Sequence, residues 1–208
     1  MDILFATTNK RKIEDVLEII KENDLDIHII TLDDINYQEE IDETGVTLAE
    51  NSLIKAREVL RYCKNNHFHY SILSDDAGLF IDALDGEPGI HTARYADLEL
   101  KKDPTLPKYQ CVIKALDKLK NVSNRSATYR CVVTFMYPDG NYFQVDGESK
   151  GWIADKIIEP IKKPYFYSVF CLENEVRTFN QMSPSELKDT YRYQAMQKVL
   201  TRFSNQKN

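Results

Sequence analysis

Apolar and polar positions alternate with changing period along the chain, and the changes mark its elements. Ile3-Leu4-Phe5-Ala6 is a short apolar run of the kind a buried strand carries. Ile13, Val16, Leu17 and Ile20 follow at i, i+3, i+4 and i+7, a helical stripe. Residues 27–32 alternate loosely and predict a second strand, and the polar stretch 33–46 predicts a loop ending in Thr44-Gly45. Thr47 with Glu50 three residues on is a capping-box signature. The helix it opens would carry Ala49, Leu53, Ala56, Leu60 and Cys63 on one face. Tyr70 to Ser74 predicts a strand that ends in Asp75-Asp76-Ala77-Gly78, followed by a loop region around Glu87-Pro88-Gly89. A helix with Tyr109, Val112, Ile113, Leu116 and Leu119 in register comes next. Residues 127–137 and 141–147 flank Pro138-Asp139-Gly140 and predict a hairpin. Tyr165 to Leu172 predicts another strand, and Ser183-Pro184 opens a last helix that turns Met196, Val199, Leu200 and Phe203 inward. The sum is a mixed α/β fold with an elongated central sheet, helices flanking two lobes and a cleft between them.

Composition narrows the function. The 208 residues carry 27 Lys+Arg against 33 Asp+Glu, a net charge of -6, which argues against binding a nucleic-acid polymer through its backbone. One basic pocket for a single nucleotide remains compatible with that balance. No segment approaches the roughly 18–20 apolar residues of a membrane span, and the N-terminal apolar run is too short for a signal peptide. Cys63, Cys111, Cys131 and Cys171 are widely spaced without a C-x-x-C, which reads as reduced thiols in a cytoplasmic protein. His67 and His69, at a helix-to-strand turn, read as solvated.

Three stretches carry candidate chemistry. Thr7-Thr8-Asn9-Lys10-Arg11-Lys12 lies where a strand passes into a helix, and backbone N–H groups with a lysine there suit a phosphate chain. The glycines of a Walker A loop are missing, and a solvated helix start is the plain alternative. Glu43 and the adjacent Asp75 and Asp76 are carboxylates from separate segments, a donor set that suits Mg²⁺. Neighbouring strand residues point to opposite faces, so one aspartate can meet a ligand while the other supports it. An Asx-capped turn is the plain alternative for Asp-Asp-x-Gly. Gly86-Glu87-Pro88-Gly89 with Arg94 and Tyr95 fits either nucleotide contact or a structural turn.

Taken together these pieces resemble the inosine triphosphate pyrophosphatase family, also described as deaminated-purine or XTP/dITP pyrophosphatases. The matching stretches are Ala6-Thr7-Thr8-Asn9-x-x-Lys12, Glu43-Thr44-Gly45-x-Thr47-x-x-Glu50-Asn51-x-x-x-Lys55-Ala56, Ser74-Asp75-Asp76-Ala77-Gly78-Leu79 and Asp82 through Tyr95. The resemblance implies a two-lobed α/β domain over 1–208, usually a homodimer, that hydrolyses ITP, dITP and XTP to the monophosphate and pyrophosphate with Mg²⁺. By position, Thr7, Thr8, Asn9 and Lys12 would cradle phosphates. Glu43 and Asp76 would hold the metal, with Asp76 as general base and Lys12 beside it in the catalytic set. Lys55 and Asp75 would support the site. Ala77, Tyr165, Lys188 and Arg192 would line the nucleotide, although Ala77 stands where the family has serine. The family's Gly-Phe-Gly-Tyr-Asp-Pro-like segment is Tyr165-Phe166-Tyr167-Ser168-Val169-Phe170 here, and its Ser-His-Arg is Thr190-Tyr191-Arg192. These departures leave open a pyrophosphatase with altered base preference or a nucleotide-binding homologue without turnover.

Overall fold

The computed structural model describes residues 1–206, so the last two positions of the expected 1–208 domain lie outside it. Seven strands form a mixed sheet: β1 (Asp2–Phe5), β2 (His28–Thr31), β3 (Ser71–Ile81), β4 (Pro88–Gly89), β5 (Ser126–Met136), β6 (Tyr142–Ile153) and β7 (Phe170–Leu172). The hydrogen-bonded order is β2-β1-β3-β5-β6-β7, with β4 on β3. Strand β1 is parallel to both neighbours, pairing Leu4 with Ile30 and with Ile72. The helices are α1 (Lys10–Glu22), α2 (Leu48–Asn65), α3 (Asp97–Lys102), α4 (Gln110–Lys118) and α5 (Tyr191–Leu200). None is long and apolar enough to cross a membrane.

The chain divides into two compact units. The first comprises Met1–Asp76, Cys131–Gly147 and the segment from Tyr191 onward. In it β1 is fully buried at Ile3, Leu4 and Phe5, as expected of a parallel strand covered on both faces. Leu4 joins Ala56, Val59, Leu60, Cys63, Ile72 and Met136 in the core under α2. Ile3 and Phe5 point to the opposite face by the alternation of the strand. Helix α1 buries Val16, Ile19 and Ile20 and packs on α5. Leu17, expected in that stripe, is 48% exposed, and Ile19 takes its place.

The second unit comprises Ala77–Arg130 and Glu148–Thr190. Its core includes an aromatic cluster in which the Tyr129 ring stands edge-on to Phe170 at 4.9 Å, and Phe179 edge-on to Tyr167 at 5.0 Å. Such pairs add about 0.5–1.5 kcal/mol beyond their buried area. The segment expected as one strand from Tyr165 is a 3-10 helix over Tyr165–Ser168, and only Phe170–Leu172 is extended. Phe166, Tyr167 and Phe170 are core residues, whereas Tyr165 is half-exposed.

Three further expectations need correction. Asp75 and Asp76 do not end a strand; β3 continues through them to Ile81. Leu79 and Phe80 extend it by pairing with Gly89 and Pro88 of β4. Gly78 permits that approach, because a Cβ there would lie 2.3 Å from the Gly89 carbonyl oxygen. Helix α4 buries Cys111, Val112, Ala115 and Leu119. Val112 and Leu119 of the expected stripe are fully buried, whereas Ile113 and Leu116 are half-buried. Ser183 and Glu186 do form a capping box, but it caps only the 3-10 turn Pro184–Leu187, and α5 begins separately at Tyr191. The hairpin expected around Pro138-Asp139-Gly140 is present as β5 and β6, closed by the Tyr137 N–H donating to the Asn141 carbonyl at 2.8 Å.

Candidate active site

The charged residues singled out in the N-terminal motifs converge in the first unit. Three structural devices place them. Asn9 caps α1 by accepting the Arg11 N–H at 3.1 Å, and Thr7 Oγ1 accepts the Asn9 N–H at 3.2 Å. This turn sets Lys12 in the first turn of α1. At the head of α2, Glu50 accepts the N–H groups of Val46 and Thr47, while Thr47 accepts that of Glu50 at 3.1 Å. The buried Asn51 side chain accepts the Gly45 N–H at 2.9 Å. A Cβ on Gly45 would lie 2.6 Å from Glu50 Cβ. The loop carrying Glu43 is thereby stapled to the helix that carries Lys55. The third device is β3 itself, which presents Asp75 and Asp76 in mid-strand.

The two aspartates have different partners. Asp75 is 2% exposed. Its Oδ1 accepts from Lys12 Nζ at 2.8 Å and its Oδ2 from Arg192 Nε at 3.2 Å. Burial alone would raise this carboxyl, but Lys12, then Arg192 and Lys55, outweigh it and hold it well below the usual carboxylate range. Burial lowers Lys12, partly offset by Asp75. Asp76 accepts from Lys55 Nζ at 3.0 Å through Oδ1, and Lys55 also donates to Glu43 Oε1 at 2.7 Å and to the Asp75 carbonyl at 3.0 Å. Asp76 Oδ2 is buried and has no hydrogen-bond partner among the described residues. Burial raises the Asp76 carboxyl, Glu43 and Asp75 add to this, and Lys55 opposes it. Two adjacent carboxylates are thus driven in opposite directions, the usual mark of divided roles in a site.

Behind this constellation runs a buried polar chain that the sequence patterning did not reveal. Gln144 Nε2 donates to Thr134 Oγ1 at 2.9 Å and to the Ala49 carbonyl at 2.8 Å. Thr134 and Ser52 share a hydrogen bond at 2.7 Å, and Ser74 Oγ donates to the Ser52 carbonyl at 2.7 Å. It fixes α2 against β3 and β5, and therefore Lys55 against Asp76. Satisfied buried networks of this kind specify one arrangement. The only sequence signal was small polar residues interrupting apolar faces.

Arg192, which the resemblance places at the nucleotide, donates from Nε to Asp75 Oδ2 at 3.2 Å. Ala77, Tyr165 and Lys188 belong to the second unit. Thr190, expected to stand in for the family's serine, donates its hydroxyl to the Leu187 carbonyl at 2.6 Å, and Ser168 donates to the Tyr165 carbonyl at 2.7 Å. All four cysteines are free and buried. Burial pushes Cys63, Cys111 and Cys171 up to about 11 and Cys131 up to about 12, which removes them as nucleophiles at neutral pH. His67 and His69 are exposed.

A mixed α/β protein with paired carboxylates and lysines at the middle of its sheet is the class these features define. The chain belongs to the Ham1 family, which it matches over residues 3–202. It is similar to the dITP/XTP pyrophosphatase of Flavobacterium johnsoniae, 34% identical across 96% of both chains, and to that of Bacillus subtilis, 29% identical across 95% of this chain and 94% of that one. Among solved structures, a HAM1 protein from Coxiella burnetii matches with TM-score 0.83, 27% identity and 98% of each chain covered. The Staphylococcus aureus Ham1 protein matches with TM-score 0.81, 26% identity and full coverage of both chains.

Proposed function

We propose that this protein is a nucleoside triphosphate pyrophosphatase acting on deaminated purine nucleotides, dITP, ITP and XTP, and releasing the monophosphate and pyrophosphate. The observation that carries this reading is the pair of oppositely perturbed aspartates beside two lysines. Relatives sharing nearly the full length of the chain are named dITP/XTP pyrophosphatases.

The chemistry needs an anchored polyanion, a positioned water and a base to accept its proton. Lys12 and the Asn9-capped start of α1 supply the anchor, with Thr7 and Thr8 on the same turn. Asp76 is the base. Its raised carboxyl brings it toward the working pH, and Oδ2 is the carboxylate oxygen that Lys55 leaves unpartnered among the described residues. Lys55 holds Asp76 Oδ1 and so orients the carboxylate.

The residues also fit a magnesium ion. No group of three or more His, Cys, Asp or Glu among the described residues is arranged to hold a metal alone. Mg²⁺ characteristically takes one or two carboxylates and completes its shell with water and substrate phosphates. Glu43 and Asp76, whose carboxylates are joined through Lys55, supply that pair. The ion would offset phosphate charge and polarise the phosphoryl oxygens.

Ala77, Tyr165 and Lys188 are assigned to the nucleotide, Tyr165 through its half-exposed ring. The Ser168 and Thr190 hydroxyl hydrogens are committed to backbone carbonyls, so recognition of the 6-oxo group rests on other donors. Four buried thiols without a disulfide fit a reducing compartment such as the cytoplasm. The chain acts on free nucleotides as a homodimer, which light scattering on the purified protein checks.

Asp76→Asn is the direct test. Loss of a positioned base lowers kcat by at least about 10²-fold, with pyrophosphate release from ITP as the readout. Turnover near that of the unaltered protein would remove Asp76 from this role. Equal kcat/KM for ATP and ITP would contradict selection of deaminated purines.

A further inference from the structure

Asp75 lies between two cations from different helices, Lys12 in the first turn of α1 and Arg192 in the first turn of α5. The carboxylate carries one negative charge and faces two positive ones. Both of its oxygens are engaged, one by each cation. The three side chains are almost wholly enclosed, with Lys12 and Arg192 exposing 16% and 13% of theirs. Water therefore does little to screen this triad, and the balance of charge within it matters.

With Asp75 and Lys12 alone, the pair would be neutral. A lysine spent on a buried aspartate has little attraction left for an incoming phosphate. Arg192 changes that balance. It engages Oδ2 and brings Lys12, Asp75 and Arg192, taken by themselves, to a net charge of about +1, with Lys55 adding positive charge near Asp75 and Asp15 adding negative charge near Arg192. We infer that Arg192 is a positioning residue for the phosphate anchor: by occupying Asp75 it keeps the charge of Lys12 available to a polyphosphate. This rests on the phosphate role given to Lys12 above, and it assigns Arg192 an effect that does not need a nucleobase.

A ligand without a base separates this from base reading. Inorganic tripolyphosphate, titrated calorimetrically into the purified protein with and without Mg²⁺, reports the phosphate anchor alone. Arg192→Gln removes the charge, and its tripolyphosphate Kd is expected to rise at least about tenfold, the lower range for losing a charge-assisted partner. Arg192→Lys keeps the charge and is expected to recover most of that loss, which also covers the case in which the glutamine variant does not fold. In an Asp75→Asn background, where Lys12 has no anion to be freed from, Arg192→Gln is expected to change Kd by less than half as much on a logarithmic scale.

Tripolyphosphate affinity unchanged by Arg192→Gln, with kcat/KM for ITP reduced, would overturn the inference and return Arg192 to the base. A full-sized effect in the Asp75→Asn background would overturn it in favour of direct phosphate contact. Failure of the unaltered protein to bind tripolyphosphate would overturn it together with the role of Lys12. Failure to hydrolyse ITP while these binding changes hold would instead count against the proposed reaction.

Discussion

Asp75→Asn is the substitution whose consequence for stability follows most directly from the structure. Asparagine has nearly the volume of aspartate and retains one carbonyl oxygen, so packing in β3 is preserved. What disappears is the charge between Lys12 and Arg192, whose nitrogens lie 2.8 and 3.2 Å from its oxygens. Removing one member of a buried ionic group typically costs 3–5 kcal/mol, because the partners stay enclosed and uncompensated. Both cations retain some access to water and asparagine can still accept one hydrogen bond, so the low end, about 3 kcal/mol, is expected. At roughly 2–4 °C per kcal/mol for a chain of this size, Tm falls by about 6–12 °C. The pH dependence has a definite sign. The folded Asp75 carboxyl lies below its unfolded value of about 3.9. Its contribution is therefore fully present above that value and is lost as pH falls through the folded one. Urea unfolding of both proteins from pH 8 to pH 3 should show a constant gap down to about pH 4 and a narrowing gap below it. A gap under about 1 kcal/mol at pH 7, or one that widens on acidification, would refute the reasoning.

Asp76 should behave in the opposite sense. Its folded carboxyl is raised, so its charge opposes folding above its titration range, and Asp76→Asn should raise Tm at pH 7 with the difference vanishing below about pH 4. A lower Tm at pH 7 would contradict that sign. Lys55→Met removes the cation that restrains the Asp76 carboxyl, so the acid limb of kcat/KM should move to higher pH; an unmoved limb would detach Lys55 from the base. Gly147→Ala would put a Cβ 2.1 Å from the Tyr191 carbonyl oxygen, backbone that cannot yield without shifting the start of α5. It should cost about 1–3 kcal/mol in urea unfolding and weaken tripolyphosphate binding as Arg192 moves; unchanged stability and binding would show that α5 can yield there.

The sequence revealed most where local chemistry decides the structure. The Thr47–Glu50 capping box, the strand at Ile3-Leu4-Phe5 and the hairpin around Pro138-Asp139-Gly140 are signals contained within a few residues, and each is present in the fold. Convergence of Lys12, Glu43, Lys55, Asp75 and Asp76 was legible only through their motifs, because no periodicity links residues 12, 43 and 75. The errors lie where a distant partner decides. Asp75-Asp76-Ala77-Gly78 reads locally as a turn, yet β3 runs through it to Ile81, and Leu79 and Phe80 beyond it pair with β4. Tyr165-Phe166-Tyr167 reads as a strand, yet packing of Tyr167 on Tyr129 and Phe179 is compatible with a 3-10 turn. The contact between Arg192 and Asp75 spans 117 residues, and no pattern in the chain points to it.

The central claim is that the acidic and basic groups gathered on α1, α2 and β3 cleave a triphosphate into a monophosphate and pyrophosphate. The measurement that meets it most directly is phosphorus NMR of ITP turned over by the purified protein with Mg²⁺. Equimolar IMP and pyrophosphate, with no orthophosphate at early times, is the predicted result. IDP with orthophosphate, or intact ITP after prolonged incubation, would contradict it.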